Sequence, residues 1–216
     1  AIDASLAETA VVELGSMQAP EGVSCFLPAW LKEGRCWGIA CQLYGLRSGR
    51  NWGIGDFEDL ARFAEIAAEA GADFVGVNPL HALFSAEPER CSPFSPSNRQ
   101  FLNPLYIAID KAPGYAGLEE ALAPPPEIRA TELVDYRHVG PLKMKALDRL
   151  FRIFQGGDDD GLSEAFERFC IERGQPLYLH GLFEALSAAM TQQGHGATWH
   201  IFPDEYRHPA THSVRA

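Results

Sequence analysis

The sequence predicts an α/β protein whose chain forms the first part of a larger α/β domain, followed by a helical insertion. Three observations support this fold class. A strand, a helix and a second strand fit within about 40 residues, which is the pattern of a parallel βαβ unit. Roughly 75 helix-rich residues make up the C-terminal part. Two firm strands and one weaker strand are too few to complete an open sheet or a barrel, so we expect the domain to be incomplete in this chain.

The composition is that of a globular protein with an acidic balance. The 216 residues include 18 Lys and Arg against 29 Asp and Glu, for a net charge of −11, and 46% are hydrophobic. Such a chain can bury a core, and its charge repels phosphate backbones and anionic lipids. No apolar run approaches the ~20 residues that cross a bilayer. We therefore expect neither a nucleic-acid nor a membrane partner.

The cysteines favour a reducing compartment. There are five, an odd number, and none forms a C-x-x-C pair. This spacing supports neither a disulfide framework nor a zinc site. Reduced thiols in a cytoplasmic protein are the simplest interpretation.

The βαβ unit carries the strongest structural signals. Residues 37–44 are mostly apolar and short, as in a strand buried on both faces. Asp56 is placed to cap the following helix with Asp59 in its first turn, and Gly71 is placed to end it in a left-handed conformation. Phe74–Val77 then predicts the second, parallel strand.

The remaining chain changes character. Residues 78–106 are rich in Pro, Ser and Asn, and a connection of that length is usually functional. Residues 105–109 suggest another short strand, and 123–126 a rigid proline spacer. Helices are predicted from Pro141 onwards, separated by glycines at 156–157 and at 174.

The glycine-rich loop at 45–56 joins the first strand to the helix, where phosphate-binding loops also lie. It lacks both G-x-G-x-x-G and the Walker pattern, and Asp56 would repel a phosphate. Two interpretations stay open at this point. The loop either contributes to an active site at the carboxyl end of the strand, or it is a tight turn between strand and helix.

The loop after the second strand offers hydroxyls, an amide, an imidazole, a guanidinium and aromatic rings, in residues 78–83 and 92–99. This mixture suits a sugar, whose ring faces stack on aromatic rings while its hydroxyls need polar partners. The alternative is a Ser/Pro surface loop that makes local turns. The histidines lack metal-ligand spacing, and no carboxylate pair stands at the end of a core strand. The residues therefore predict neither a metal site nor a catalytic pair.

Several separated motifs nevertheless follow one another in a specific order from about residue 24 to the end. They lie at residues 37–44, 46–48, 51–57, 78–83, 92–97, 103–107, 134–136, 142–147, 182–186 and 202–206. Together they closely resemble the 4-α-glucanotransferases, the amylomaltases or disproportionating enzymes of glycoside hydrolase family 77.

The resemblance implies a (β/α)₈ TIM barrel, of which this chain holds the first βα units and a largely helical inserted subdomain. We expect three parts: a lead-in at 1–35, the first barrel units with the substrate-binding loop at 36–110, and the inserted subdomain at 111–216. The implied activity is transfer of an α-1,4-glucan segment to another glucan through a covalent glycosyl-enzyme. The catalytic carboxylates of the family lie on later strands, which we expect beyond residue 216. No cofactor is implied.

The resemblance also places binding residues. The Ser-Pro-Tyr motif that lines the donor side of the family's glucan cleft corresponds to Ser92, Pro93 and Phe94, so that phenylalanine replaces the usual tyrosine. His81 and Asn103 match family positions near the same loops. Tyr136 follows Asp135 in a motif where the family touches longer glucans.

Two alternatives to the transferase remain at this stage. One is a non-catalytic glucan-binding or regulatory protein that keeps only this part of the fold. The other is an amylase-type hydrolase. Transfer from maltotriose gives longer oligomers, whereas hydrolysis gives only shorter sugars.

Overall fold

A computed structural model describes residues 35–157 and 159–215, and the fold below is that of the compact unit that begins at Trp37. The predicted lead-in at 1–35 lies outside the described residues apart from Arg35, and so does Cys25. In chain order the elements are β1 (Gly38–Cys41), α1 (Phe57–Glu69), β2 (Phe74–Val77), β3 (His81–Ala82), β4 (Asn98–Leu102), α2 (Pro126–Arg129), α3 (Tyr136–Gln155), α4 (Asp160–Gln192) and α5 (His212–Arg215).

The predicted βαβ unit is confirmed. β1 and β2 pair in parallel, with Gly38 opposite Phe74 and Cys41 opposite Val77. Between them α1 begins at a capping box, in which the Asp56 side chain accepts from backbone N–H groups of the first turn and Asp59 accepts from the Asp56 N–H. Gly71 follows the helix with φ +85°, the left-handed conformation that glycine adopts freely.

The first strand is shorter and less buried than predicted. It ends at Cys41 instead of residue 44, and Leu43–Gly45 forms a 3₁₀ turn. The turn arises because the Leu43 N–H donates to the Asn78 side chain, 2.7 Å away, and not to a neighbouring strand. Neither strand of the pair is buried on both faces, since the residues of both strands are half-buried or exposed.

The segment after β2 differs most from the sequence prediction. It contains an antiparallel pair, β3 with β4, that the Pro- and Ser-rich composition did not indicate. The strand predicted at 105–109 is wrong, because Pro104–Tyr106 and Ile109–Lys111 are 3₁₀ turns. Pro104 has no N–H to donate to a ladder, and the preceding Asn103 side chain caps the turn.

Helices dominate the C-terminal part, as predicted, with different limits. α3 begins at Tyr136 rather than at Pro141, because Asp135 accepts from the His138 N–H as its cap and Pro141 is accommodated inside the helix. It ends before Gly156, as the glycine pair predicts. α4 is interrupted at Gly174, which has φ +50°. Among the described residues no helix is long and apolar enough to cross a membrane.

Two buried clusters join α3 to the loops after β1 and β4. One contains Leu43, Ile54, Tyr106, Ile128 and Val139. The other contains Trp52, Ile109, Leu122, Ala146 and Leu150. Since α3 contributes to both clusters, this helix holds the loop that follows β1 against the 3₁₀ turns that follow β4.

An ionic network reinforces the same junction. The Arg50 guanidinium pairs with Asp56, with Asp59 at 3.0 Å and with Asp110 at 2.5 Å. Burial opposes the charge of Arg50, but these carboxylates raise its pKa above its usual value. Burial likewise acts to raise the pKa of Asp59, yet the pKa is lowered, because hydrogen bonds from Asn51 and Ser48 and the charge of Arg50 outweigh burial.

Arg50→Met tests this network. The substitution leaves three carboxylates facing one another, and we expect it to lower the free energy of unfolding at pH 7 by about 2–4 kcal/mol, as for a broken, largely buried ion pair. The pKa of Asp59 is depressed in the folded state, so its contribution is present at neutral pH and is lost as pH falls through the acidic range. The difference between wild type and Arg50→Met therefore shrinks on acidification in chemical denaturation measurements.

Arg62→Met is the matched control. Arg62 pairs with Glu65 at 2.9 Å on the exposed face of α1, where both side chains are largely in water. An ion pair of this kind contributes about 0.2–1 kcal/mol. Equal losses in the two variants would contradict a central role for Arg50.

Candidate functional site

Asn78 organises the carboxyl ends of the two parallel strands. Its Oδ1 accepts from the Leu43 N–H, just after β1. Its Nδ2 donates to the Pro79 carbonyl at 2.7 Å and to the Tyr106 hydroxyl at 3.1 Å. One buried amide therefore connects the ends of β1 and β2 with the turn after β4.

The predicted sugar-binding loop presents an aromatic ring at its tip. The Ser95 N–H donates to the Ser92 carbonyl at 3.1 Å, which closes a tight turn. Within that turn Pro93 is buried, while Ser92 is exposed and the Phe94 side chain is 72% exposed. The proline anchors the turn and leaves a flat apolar ring accessible, which is the arrangement that stacking on a sugar face requires.

His81 and Asn103 lie at the base of this loop. His81 opens β3, is half-buried and pairs with Leu102 of β4. Asn103 is only 3% exposed, and its Oδ1 accepts from the Leu105 N–H at 3.0 Å. Its own N–H donates to the Leu80 carbonyl. Asn103 thus uses its polar groups to hold the loop ends together.

Tyr136 begins α3 and packs against the first buried cluster. Burial is the main cause that raises the pKa of its phenol well above the ordinary value, so the hydroxyl stays protonated. Tyr136 and Asn103 line the same small cavity of about 30 Å³, together with Phe84 and Arg90. The structure therefore brings Tyr136 and Asn103 together at one cavity. His81 lies at the start of β3, and Ser92 and Phe94 lie on the exposed turn.

The second half of the glycine-rich loop is packed into the fold, whereas residues 45 and 47–49 are exposed. Residues 51–56 are all buried, and Asn51 donates to Asp59 at 2.8 Å and to the Leu46 carbonyl at 3.1 Å. A Cβ on Gly55 would overlap the Leu43 carbonyl oxygen, so glycine is required there by the close approach of the backbone. For residues 51–56 the geometry favours the tight turn between strand and helix, and a contribution of the loop to an active site stays a prediction.

Lys143 is a buried cation that the sequence analysis missed. It lies on α3 with no exposed surface, and its Nζ has no hydrogen-bond partner among the described residues. Burial is the main cause that lowers its pKa to about 8, partly opposed by Asp56, Asp59 and Asp110. The motif at 142–147 contained it, but only three-dimensional packing shows that this lysine, unlike Lys145, faces inward.

The other residues missed are Arg50 and Asn78, which connect the loop after β1 with the segment after β4. The sequence did signal Asn78, since an amide directly follows a buried strand at its carboxyl end. No cluster of three or more His, Cys, Asp or Glu side chains suited to a metal ion occurs in residues 35–157 and 159–215.

Lys143→Met tests the cost of this buried charge. The folded-state pKa of about 8 lies below the ordinary value of 10.5, so the unfolded chain binds more protons between these values. Stability therefore rises with pH across that window in the wild type. We expect Lys143→Met to raise the free energy of unfolding at pH 7 by about 1–3 kcal/mol, and the gain to shrink as pH approaches 10.5.

The control is Lys145→Met, two residues along α3 and exposed. Lys145→Met is expected to change the free energy of unfolding by no more than about 0.5 kcal/mol, and by the same amount at every pH in that window. A Lys143→Met protein less stable than wild type at every pH would mean that attraction to the aspartates outweighs burial.

Comparison with known proteins identifies the family. A family profile described as 4-alpha-glucanotransferase matches residues 41–216. A 4-alpha-glucanotransferase of Haemophilus influenzae is 39% identical over 175 residues, covering 76% of this chain and 25% of the relative. One of Mycobacterium tuberculosis is 33% identical over 202 residues, covering 87% of this chain and 27% of the relative.

A solved structure agrees with these relatives. The crystal structure of amylomaltase from Corynebacterium glutamicum superposes with a TM-score of 0.58 at 28% identity, over 80% of this chain and 25% of that one. The chain spans about a quarter of the length of the relatives it matches. The profile match covers well over half of the present sequence, and on this basis the chain belongs to the 4-alpha-glucanotransferase family.

Proposed function

We propose that the protein carrying this chain transfers segments of α-1,4-glucan from a donor to an acceptor glucan or glucose. The observation that carries the proposal is the family match over residues 41–216, supported by the relatives named 4-alpha-glucanotransferase. These relatives favour the transferase over a non-catalytic glucan-binding protein or an amylase-type hydrolase. The substrate is a neutral maltooligosaccharide, which suits a chain with a net charge of −11.

The chemistry is a retaining double displacement. A carboxylate attacks the anomeric carbon of the donor while a second carboxyl group protonates the departing glycosidic oxygen. The acceptor hydroxyl then attacks the glycosyl-enzyme, gives its proton to the second carboxylate and releases the first. Both groups are proposed to lie on strands outside this chain. Asp56, Asp59 and Asp110 are unsuited to these roles, because all three are held by Arg50.

Within this scheme the chain supplies the start of a (β/α)₈ barrel and one wall of the glucan cleft. Residues 36–110 form the first βα units with the binding loop, residues 111–216 form the inserted subdomain, and residues 1–35 precede them. Ser92 and Phe94 contact the donor glucan, with His81 and Asn103 supporting the loop. Tyr136 contributes where longer glucans pass. The cytoplasm, where maltodextrins are stored and used, is the proposed compartment.

Incubation of the full-length protein with maltotriose tests the function. Transfer gives oligosaccharides longer than maltotriose, which thin-layer or liquid chromatography detects. Products that are only shorter would establish a hydrolase, and unchanged maltotriose would favour the binding protein. The 216-residue chain alone is expected to leave maltotriose unchanged, because the reacting carboxylates are proposed to lie outside it.

Phe94→Ala and Phe94→Tyr test the binding loop. Loss of the exposed ring removes the stacking surface, and we expect Phe94→Ala to lower kcat/KM for maltotriose about 3- to 10-fold. Phe94→Tyr keeps the ring and restores the hydroxyl usual in the family. The kcat/KM of Phe94→Tyr for maltotriose is expected to equal that of the wild type, or to exceed it by a factor that corresponds to up to about 1 kcal/mol of transition-state binding.

Ile171→Ala serves as the control, since Ile171 is also an exposed apolar side chain but lies on α4. Its kinetic constants are expected to match those of the wild type. If Phe94→Ala behaved like Ile171→Ala, the turn at 92–95 would have no part in binding the donor.

A further inference from the structure

The segment that carries Phe94 joins β3 to β4 and is too long to be held by the strand pair alone. It comprises residues 83–97, and we call it the β3–β4 loop. The strand pair fixes its C-terminal end. The Ser97 N–H donates to the Ala82 carbonyl at 2.9 Å, and the Ser97 hydroxyl lies 3.1 Å from that carbonyl and 2.9 Å from the Leu83 carbonyl. The rest of the loop needs other contacts, since connecting segments are more mobile than the elements they join.

Glu184 of α4 holds the N-terminal end of this loop. Its carboxylate accepts from the backbone N–H and the hydroxyl of Ser85. Its Oε1 also lies 3.5 Å from the Ser97 Oγ. Ser85 and Ser97 stand at opposite ends of the loop, on either side of the turn that presents Phe94. One carboxylate from a helix about ninety residues later therefore reaches both ends of the loop.

The surroundings of Glu184 offer it hydrogen bonds and no cation. The side chain is half-buried, and no Lys or Arg pairs with it in the part of the chain that the structure describes. Burial raises the pKa of this carboxyl, and the hydrogen bonds from Ser85 and Ser97 oppose that rise. A carboxylate removed from water is costly unless hydrogen bonds replace those it has lost. The two serines of the loop supply this compensation.

Two further contacts hold the middle of the loop against the C-terminal helices. The Glu87 carboxylate accepts from the buried Ala197 N–H at 2.8 Å. Glu89 pairs with Arg137 at the start of α3, but both side chains are largely in water and such a pair contributes little. These contacts attach single points of the loop. That of Glu184 joins its two ends, so its loss frees the whole segment between them.

We propose that Glu184 is a positioning residue, which holds the β3–β4 loop in the conformation that presents the Phe94 ring to the donor glucan. That this ring meets a donor glucan rests on the proposed function. Glu184 touches no reacting atom and acts on Phe94 through Ser85 and Ser97. A loop without this contact spends part of its time in other conformations, and the apparent affinity for the donor falls by the fraction of competent protein that is lost. The kcat changes less, because bound donor has already selected the ordered loop.

Limited trypsin digestion of the full-length protein measures the order of the loop without turnover. Arg90 is an exposed residue of the loop, whereas Arg62 lies inside α1, where cleavage requires the helix to unfold. We expect Glu184→Ala to raise the rate of cleavage after Arg90 about 3- to 10-fold, as for the loss of one or two hydrogen bonds, and to leave cleavage after Arg62 unchanged. Glu184→Gln retains an acceptor oxygen and is expected to restore a rate close to that of the wild type.

Glu167→Ala is the matched control, since Glu167 is an exposed carboxylate in the first half of the same helix. It is expected to leave cleavage after Arg90 unchanged. Ser85→Ala removes one partner of Glu184 from the exposed side of the contact, so that the proposal is tested even where Glu184→Ala folds poorly, and a smaller rise in the same direction is expected. A rate after Arg90 that neither substitution raises would overturn the proposal, and so would a rise equal to that after Arg62.

A double-mutant cycle with Phe94 connects the loop to the reaction. Glu184→Ala alone is expected to raise the KM for maltotriose about 3- to 10-fold and to change kcat less than about 2-fold. In the Phe94→Ala background the same substitution is expected to change KM much less, because the ring that Glu184 positions is absent. Fully additive effects on KM would overturn action through Phe94.

The two kinds of measurement separate this proposal from the proposed function. If the full-length wild type left maltotriose unchanged, the proposed function would fail. A raised rate of cleavage after Arg90 in Glu184→Ala, without a rise after Arg62, would then still establish that Glu184 holds the β3–β4 loop.

Discussion

The pairing of Arg50 with three carboxylates is the constraint on which the described fold depends. Asp56 and Asp59 come from the first turn of α1, and Asp110 comes from a 3₁₀ turn about fifty residues later. One guanidinium therefore fixes the loop after β1, the start of α1 and the segment after β4 at a single point. Because Asp56 and Asp59 also cap α1, the contacts that begin the helix and those that close the loop share the same carboxylates. Lys143 extends the cluster on the side of α3, where it is buried without a hydrogen bond and where burial lowers its pKa.

The parts of the fold that sequence predicts are those set by local rules. The βαβ unit follows from short apolar runs, from Asp56 at the helix start and from Gly71 at its end, all of which act within a few residues. The strand predicted at 105–109 is wrong because another local rule overrides its apolar pattern. Its apolar residues fit a strand, but Asn103 and the proline after it convert the segment into a capped turn packed beneath α3. The pair of β3 with β4 was missed because its strands meet across a Pro- and Ser-rich loop that has no alternation of its own.

The candidate site was likewise predicted only in part from the sequence. The sequence signalled which residue types gather after β2, and the resemblance to the family selected Ser92, Phe94, His81, Asn103 and Tyr136. Only the structure shows that these residues differ in how far they are buried. Asn103 is enclosed and directs its amide to backbone groups, whereas Phe94 projects from a turn that Pro93 anchors. Residues of the same segment after β2 thus differ in environment, since an enclosed amide shapes the loop and an exposed ring is available to a ligand.

The charged side chains near the strand ends are paired inside the fold. The carboxylates nearest the strand ends are held by Arg50 inside the fold, and Arg90 is paired with Glu87 and stacked on Phe84. What remains open at the turn of residues 92–95 is the Phe94 ring with the exposed Ser92 and Ser95 beside it. Such surfaces bind by stacking and by exchanging hydrogen bonds with water, and each contact contributes little by itself.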